Sequence, residues 1–128
     1  MTAAELLDSL NTLDEHERVE AKRASEAGRS VLETVCAFAN EPGLGGGWLL
    51  LGVTRDEEAP FPTFAAEGVT HPDKVAADLA TQCRDTFNRP VRVEITTEML
   101  DGHAVLVVFV PEAPPQDKPV FFRATGLP

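Results

Sequence analysis

The sequence has few basic residues. Its 11 lysines and arginines stand against 21 aspartates and glutamates, which gives a formal net charge of −10. Domains that bind nucleic acid through a broad electrostatic surface carry net positive charge. The composition therefore excludes a global basic field. Any contact with phosphates must be local, bridged by a metal ion, or supplied by another part of the protein.

Cysteine is equally scarce. Cys36 and Cys83 lie far apart, each inside an apolar helical pattern. This pattern predicts two buried, reduced thiols, with a reactive thiol or a disulfide as the alternatives. The three histidines, at positions 16, 71 and 103, have no metal-ligand spacing with each other or with the cysteines, which argues against a structural zinc site.

Long apolar runs are absent. No segment approaches the roughly 20 apolar residues that a membrane-spanning helix needs. The first residues also lack the basic and apolar regions of a signal peptide. We therefore expect a cytoplasmic protein with no membrane partner.

The apolar residues that are present predict the element order α-β-α-β-α-β-β-β. Residues 2–5 and 30–33 have the pattern of capping boxes, and His71-Pro72 is typical of the start of a third helix. Residues 48–53 are apolar on both faces, which predicts a central strand. Asp101-Gly102 is a turn pair between two alternating segments and predicts a β-hairpin. Residues 54–68 have no periodicity and are expected to form a long connection.

These elements predict one α+β domain over residues 1–128, with two layers, a mixed sheet and helices packed mainly on one face. Residues 120–123 begin a final strand close to the end of the sequence, with no later segment to pair with it. We therefore expect the domain to be the N-terminal part of a longer protein.

Two groups of acidic residues are the first candidates for a functional site. One group crowds the start of the first strand and the other follows the central strand: Asp14, Glu15, Glu17 and Glu20, then Asp56, Glu57 and Glu58. If the two groups meet, their carboxylates would suit magnesium or manganese, which prefer oxygen ligands. In a chain this acidic, a solvated rim of carboxylates is the alternative.

Lys22 follows Glu20 by two residues and should share a strand face with it. Asp14 with Glu20 and Lys22 could match the Asp and Glu-x-Lys pattern of metal-dependent nucleases, in which the lysine stabilises the hydroxide or phosphate. The spacing is loose and favours a simple ion pair between Glu20 and Lys22.

The first third of the sequence also holds a small basic cluster, which comprises Arg18, Lys22, Arg23 and Arg29. These residues could contact phosphates locally or serve as counter-charges to the neighbouring glutamates. Trp48 could stack on a base or belong to the core. The glycine-rich residues 43–47 could cradle an anion, but they lead from a helix into a strand, which favours a tight turn.

Several motifs together resemble the Schlafen AlbA-like domain. The first are Glu15 with Glu20-x-Lys22, the segment Ala37-Phe38-Ala39-Asn40, and the Gly46-Gly47 to Gly52-Val53 segment. They are followed by Val107 to Pro111, Lys118-Pro119-Val120 and Arg123. The resemblance runs from about residue 13 to the end of the sequence. The family is also described as a divergent AAA-type or DNA-binding domain of bacterial transcriptional regulators.

The resemblance implies a small α+β fold, a nucleic-acid partner and a following C-terminal region, often winged-helix or GHKL-like. In animal Schlafen proteins this domain is an endoribonuclease that acts on structured RNA such as tRNA, through two glutamates and an aspartate that bind a divalent metal. Glu15 and Glu20 match the two glutamates in spacing, and Asp56 is the nearest candidate for the aspartate.

Three hypotheses follow. The first is a nucleic-acid-binding domain, DNA or RNA, of a bacterial transcriptional regulator, using the basic cluster and Trp48. The second is an endoribonuclease in which Glu15, Glu20 and Asp56 hold magnesium or manganese and Lys22 stabilises the phosphate. The third is a protein-interaction domain that forms a homodimer through an edge strand. No organic cofactor is predicted.

Overall fold

The structure is a computed structural model that describes residues 1–16, 18–61 and 63–128. Three helices and six strands follow each other in this part of the chain, with short 3₁₀ turns at Ala24–Glu26 and Pro115–Asp117. The elements are α1 (Ala3–Leu13), β1 (Val19–Lys22), α2 (Arg29–Asn40), β2 (Gly46–Leu51), β3 (Val53–Arg55), β4 (Phe64–Ala66), α3 (Pro72–Asp85), β5 (Glu94–Leu100) and β6 (His103–Pro111).

The main sheet has the strand order β1-β2-β6-β5. β1 runs parallel to β2, with Val19 opposite Trp48, while β2 and β5 both run antiparallel to β6. The sheet is therefore mixed, and β2 lies inside it as the sequence predicts. The predicted α+β class and the hairpin at Asp101-Gly102, which joins β5 to β6, are confirmed.

Apolar side chains cover both faces of this sheet. Helices α2 and α3 pack on one face, where Leu49 and Leu51 of β2 join the larger core cluster. Helix α1 and the small β3-β4 sheet cover the other face through Leu50. Two of the three helices thus share a face, in line with the prediction, and α1 forms a cover on the opposite side.

The ends of the helices test the predicted capping boxes. At α1 the box is confirmed, because the Thr2 side chain accepts the Glu5 N–H while the Glu5 carboxylate accepts the Thr2 N–H. At α2 the prediction is wrong, since the helix begins at Arg29 with Gly28 as its N-cap and no side-chain capping bond. Pro72 opens α3 as predicted.

Two further expectations are corrected. Residues 54–68 are not one irregular connection, because β3 and β4 pair antiparallel within them. Residues 120–123 do not form a strand. Phe122 instead makes isolated bridges with Phe87 and Leu127, and its ring packs 5.0 Å from that of Phe87.

The glycines that open β2 are required by close packing. Gly46 has φ of +108°, and a Cβ there would collide with the carbonyl oxygen of Val110. A Cβ on Gly47 would enter the ring of Phe38 on α2. Glycine at both positions therefore lets β2 pack directly against its neighbours.

Both cysteines are buried and free, as predicted. Burial raises the pKa of the Cys83 thiol to about 12. The pKa of Cys36 is also raised by desolvation. These thiols are therefore protonated and unreactive at neutral pH.

Candidate nucleic-acid interface

Glu20 and Lys22 share one face of the edge strand β1, as the sequence predicts. The Lys22 Nζ lies 3.7 Å from Glu20 Oε2 and 3.9 Å from Glu26 Oε2. The Thr34 hydroxyl on α2 donates a hydrogen bond to the same Glu20 oxygen. The carboxylate is thereby held between the helix and the lysine.

Glu15 sits at the outer edge of the same strand. Its Oε2 accepts the backbone N–H of Ala21 at 3.0 Å. Desolvation raises the pKa of the Glu15 carboxyl, the Ala21 N–H opposes this shift, and the negative charge of Glu20 adds to it. Glu15 and Glu20 are therefore close enough to influence each other's charge.

The start of β1 and the residues after the central strand meet, which the sequence left open. Asp14 Oδ2 lies 3.0 Å from Arg55 Nη2. A cleft of about 250 Å³, which we call the β1 cleft, lies at this junction. It is lined by Glu15, Glu20, Ala21, Lys22, Arg23, Glu26, Val53, Thr54, Arg55, Glu57 and Phe64. Glu17 lies outside the described residues.

Asp56 has a different position from that of the other predicted metal ligands. Its N–H donates to the Thr63 carbonyl at 2.8 Å, and its Oδ1 accepts the Glu58 N–H at 3.0 Å. Asp56 is thus bonded within the β3-β4 connection, and Glu57 is the carboxylate that lines the cleft. Arg55 and Glu26 also line the cleft, and no sequence pattern indicates this, because their positions depend on how the β3-β4 connection and the Ala24–Glu26 turn fold back onto β1.

Among residues 1–16, 18–61 and 63–128, no three His, Cys, Asp or Glu side chains are arranged around a common point that suits a metal ion. The chemistry of the donors suits magnesium, but Glu15, Glu20 and Asp56 do not surround one position in this arrangement. Ligation of magnesium or manganese by these residues stays a prediction.

Three of the four predicted basic residues are paired with glutamates. Arg23 donates to both carboxylate oxygens of Glu67, at 3.0 and 3.1 Å. Arg29 lies 3.8 Å from Glu33, and its guanidinium lies 3.7 Å from the centroid of the Phe122 ring. Together with the Lys22 pairs, these contacts intersperse positive and negative side chains over the region. Exposed ion pairs of this kind are worth about 0–1 kcal/mol, so phosphates can replace the glutamates at low cost.

Trp48 is half-buried. Its ring centroid lies 4.9 Å from that of Phe109 on β6, with a tilt of 51° between the planes. Both rings belong to the sheet face that α1 covers further along. Trp48 thus packs at the border of the core, and base stacking on it stays a prediction.

The glycine-rich loop does bind an anion, which is the protein's own Glu112. The backbone N–H groups of Gly43 and Gly45 donate to its carboxylate at 3.2 and 2.8 Å, and Lys118 Nζ donates at 2.7 Å. The Lys118 ammonium and the two N–H groups lower the pKa of Glu112 to about 2. The loop is therefore a helix-to-strand turn that is fastened to the end of β6.

Three backbone N–H groups on the outer side of β1 donate hydrogen bonds to groups that do not belong to a strand. The Val19 N–H donates to the His16 carbonyl at 3.2 Å, and the Arg23 N–H donates to the Glu26 carboxylate at 2.9 Å. Glu15 accepts the Ala21 N–H between them. The outer edge of β1 is thus closed to strand addition.

A scan against protein families finds that residues 15–125 match the family described as Schlafen, AlbA_2. The chain belongs to this family. The match covers all six strands together with α2 and α3, and α1 lies before it. It confirms the resemblance that the sequence motifs indicate.

Two solved structures show how far the likeness of this AlbA_2 domain extends. One is the solution NMR structure of the N-terminal domain of a protein from Nitrosomonas europaea that is named for its relation to the ATP-dependent DNA helicase RecG. Its TM-score is 0.91 and its identity 50%, over 100% of this chain and 84% of that one. No match was found among curated proteins.

The other is a crystal structure of the DIP2311 protein from Corynebacterium diphtheriae. Its TM-score is 0.55 and its identity 17%, over 94% of this chain and 23% of that one. This second likeness concerns the fold alone. It places the AlbA_2 fold inside a chain much longer than this one.

Within the part of the chain that the structure describes, no helix is both long and apolar enough to cross a bilayer.

Proposed function

We propose that this AlbA_2 domain binds nucleic acid as part of a longer bacterial regulator. The observation that carries the proposal is the 50% identity, over the whole chain, to the N-terminal domain of a RecG-related protein. The name of that protein refers to an ATP-dependent DNA helicase. A role in transcriptional control is the finer part of the proposal, and it is supported by the family resemblance.

The surface around β1 supports local contact with phosphates. Lys22 and Arg23 line the β1 cleft, and their glutamate partners are partly exposed. Water and salt screen such pairs, so a phosphate that approaches can take the place of a carboxylate. The net charge of −10 opposes this approach at long range. We therefore expect weak binding by the domain alone and tighter binding by the longer protein.

Fluorescence anisotropy with labelled single-stranded DNA, duplex DNA and tRNA tests the proposal. Binding should weaken as salt rises from about 50 to 200 mM, because each phosphate contact releases counterions. Lys22→Gln and Arg23→Gln should reduce the affinity and the salt dependence. Lys74→Gln on α3, which removes one positive charge from a surface ion pair with Asp78, is the matched control.

Absence of binding to all three nucleic acids by the longer protein would overturn the proposal. Binding that does not depend on salt would overturn the assigned phosphate contacts. In that case the third hypothesis, a protein-interaction domain, would take its place, with β5 as the edge for a homodimer because the β1 edge is closed.

A metal-dependent endoribonuclease is the second candidate, favoured by one observation. Glu15, Glu20 and Lys22 line the same cleft. A divalent ion held there would supply an activated water and charge stabilisation. Lys22 would position the phosphate next to Glu20.

Incubation of labelled tRNA with manganese, magnesium or EDTA tests this candidate. Cleavage that requires the metal and is lost in Glu20→Gln, but kept in Glu58→Gln, would establish the activity. A comparison of Asp56→Asn with Glu57→Gln would then identify the third carboxylate. Intact tRNA under all conditions would rule out this endoribonuclease activity.

A further inference from the structure

A second cleft lies at the C-terminal end of α2, where Ala39 lines it, and the family match assigns it no role. It has a volume of about 310 Å³, within the range of small-ligand sites. Its walls are residues 89–92, which follow α3, and residues 111–120, which follow β6. We call it the arginine cleft, after Arg89 and Arg92 on its rim.

Two asparagines hold the walls of the arginine cleft in place. Asn40 accepts the Val120 N–H at 2.7 Å and donates to the Val120 carbonyl at 2.8 Å. Asn88 accepts the Phe121 N–H at 2.8 Å and donates to the Pro119 carbonyl at 3.3 Å. The Val91 N–H donates to the Cys83 carbonyl at the end of α3. These bonds fix both walls, so the cleft exists before any ligand arrives.

The floor of the arginine cleft is apolar. Ala39, Val91 and Val120 underlie it and are buried, so the apolar surface open to a ligand is that of the half-buried Ala113 and of the neighbouring prolines. Prolines complete the walls, at positions 90, 111 and 114. An apolar floor of this size accepts a flat ring as readily as an aliphatic group.

The charge of the arginine cleft sets it apart from the rest of this acidic chain. Arg89 lies 3.8 Å from Asp117, in a pair whose side chains are both exposed. Among the described residues, Arg92 has no carboxylate within ion-pair distance. The Glu112 carboxylate at the other wall is already bonded to Lys118 and to the N–H groups of the glycine-rich loop. The two carboxylates of the lining, Asp117 and Glu112, are thus paired with Arg89 and Lys118, and Arg92 is the arginine of the lining that keeps its charge for a ligand.

The other large hollows differ in this respect. The β1 cleft is lined by four glutamates and three cations. A groove of about 490 Å³ between β1 and α2 is lined by three glutamates and one lysine. The lining of the arginine cleft has two arginines and two carboxylates, so its charges balance and it repels a polyanion less than either of these.

A shallower hollow continues the arginine cleft along α3. Its lining includes Arg84, Val91 and Arg92, so Arg92 lies on the border of both. Within residues 1–16, 18–61 and 63–128, the ion-pair partner of Arg84 is its exposed neighbour Asp85, at 3.4 Å. Arg89, Arg92 and Arg84 thus follow one another along a continuous surface.

We propose that the arginine cleft binds one unpaired nucleotide of a single-stranded nucleic acid. The base lies on the apolar floor, and the flanking phosphates contact Arg89 and Arg92, with Arg84 next along the strand. Arginine suits this role because its guanidinium forms paired hydrogen bonds with phosphate oxygens and stacks on bases. A duplex keeps its bases paired and stacked inside and cannot present one to the floor. This inference rests on the proposed nucleic-acid-binding function and adds to the β1 surface a second contact site and a strand form.

Anisotropy with a labelled single strand of roughly 12 nucleotides tests the site. Arg92→Gln and Arg89→Gln should each lower the affinity roughly tenfold and reduce the salt dependence by about one phosphate contact. Lys74→Gln is again the control. The exposed positions of both arginines leave the fold intact, which circular dichroism checks.

Amide chemical shifts give a second, independent readout. On titration with the single strand, the signals of Val91 and Val120 should move in the wild-type protein and stay still in the Arg89→Gln/Arg92→Gln double variant. An equal affinity for a free mononucleotide would overturn the assignment of a strand, because neighbouring phosphates would then contribute nothing.

The outcomes separate the two proposals. Loss of binding in Lys22→Gln with unchanged binding in Arg89→Gln and Arg92→Gln would overturn the arginine cleft and leave the proposed function standing. Preference for a duplex over the single strand would also overturn it. No binding to any nucleic acid would overturn both.

Discussion

The side chain of Asn40, the last residue of α2, forms two hydrogen bonds with the backbone of Val120, 80 positions later in the chain. Its Oδ1 accepts the Val120 N–H at 2.7 Å and its Nδ2 donates to the Val120 carbonyl at 2.8 Å. Val120 is buried, so water cannot replace these bonds freely. Asn40 is also the final residue of the Ala-Phe-Ala-Asn motif that indicates the family. The last residue of the motif thus holds the segment around Val120 against the end of α2.

Replacement of Asn40 by alanine should therefore destabilise the fold. The buried Val120 N–H would lose its acceptor, while the Val120 carbonyl would keep the weaker Cys36 thiol donor. We expect this change to lower the free energy of unfolding by about 1–3 kcal/mol. Urea denaturation followed by circular dichroism measures this loss. Gln116→Ala, at an exposed position, should change stability by less than about 0.5 kcal/mol. Equal stability of the two variants would contradict the role of Asn40.

Glu112 should make stability depend on acid pH. Its pKa is lowered from 4.5 to about 2 by Lys118 and by the N–H groups of Gly45 and Gly43. The unfolded chain therefore binds a proton that the folded chain does not, and stability falls as pH drops from 4.5 through about 2. The free energy of unfolding, measured by denaturation across this pH range, should depend less steeply on pH for Glu112→Gln than for the wild type. The exposed Glu58→Gln should keep the wild-type slope, and a similar flattening there would contradict the prediction.

Glu15 should behave in the opposite sense. Desolvation raises its pKa above 4.5, so the folded chain binds the proton more tightly and stability falls as pH rises through the raised value. Glu15→Gln removes this loss and keeps an oxygen that can accept the Ala21 N–H. We expect Glu15→Gln to be at least as stable as the wild type at pH 7, and Glu15→Ala to be less stable than Glu15→Gln. Thermal unfolding at pH 4 and pH 7 compares the three. A Glu15→Gln variant that is weaker than the wild type only at pH 7 would contradict the expectation.

Gly47 should tolerate no side chain while Phe38 is present. A Cβ at this position would enter the Phe38 ring, and overpacking of a core typically costs about 1–3 kcal/mol. Gly47→Ala should therefore lower stability, and Phe38→Leu in the same chain should recover part of the loss. The control is Gly126→Ala, where a Cβ meets open space and only the φ of +70° is unfavourable. A double variant that is no more stable than additivity predicts would show that the ring is not the cause.

Local patterns predict the parts of this fold that local interactions form. Asp101-Gly102 supplies the turn between β5 and β6, and residues 48–53 indicate an interior strand because they are apolar on both faces. Strands β3 and β4 have only three residues each, too few for a period to be visible. Residues 120–122 are apolar because Phe122 packs on Phe87, which the sequence alone cannot distinguish from strand pairing.

The candidate sites follow the same rule. The shared face of Glu20 and Lys22 depends on a spacing of two within one strand, and the sequence predicts it. Glu57, and not the predicted Asp56, lines the β1 cleft. This depends on the path of the β3-β4 connection, which only the folded chain defines. The arginine cleft lies between residues 89–92 and 111–120. Hydrogen bonds from two asparagines hold these segments in place, and no sequence motif predicts those hydrogen bonds.

The closed edge of β1 limits how this domain can assemble. Its N–H groups are occupied by Glu15, Glu26 and the His16 carbonyl, so the sheet can grow only from β5. Two copies that join β5 to β5 would use the same surface twice and leave no further edge. Growth would then stop at a pair. Two carboxylates that accept N–H groups at one edge would thus restrict strand pairing between copies to a closed pair.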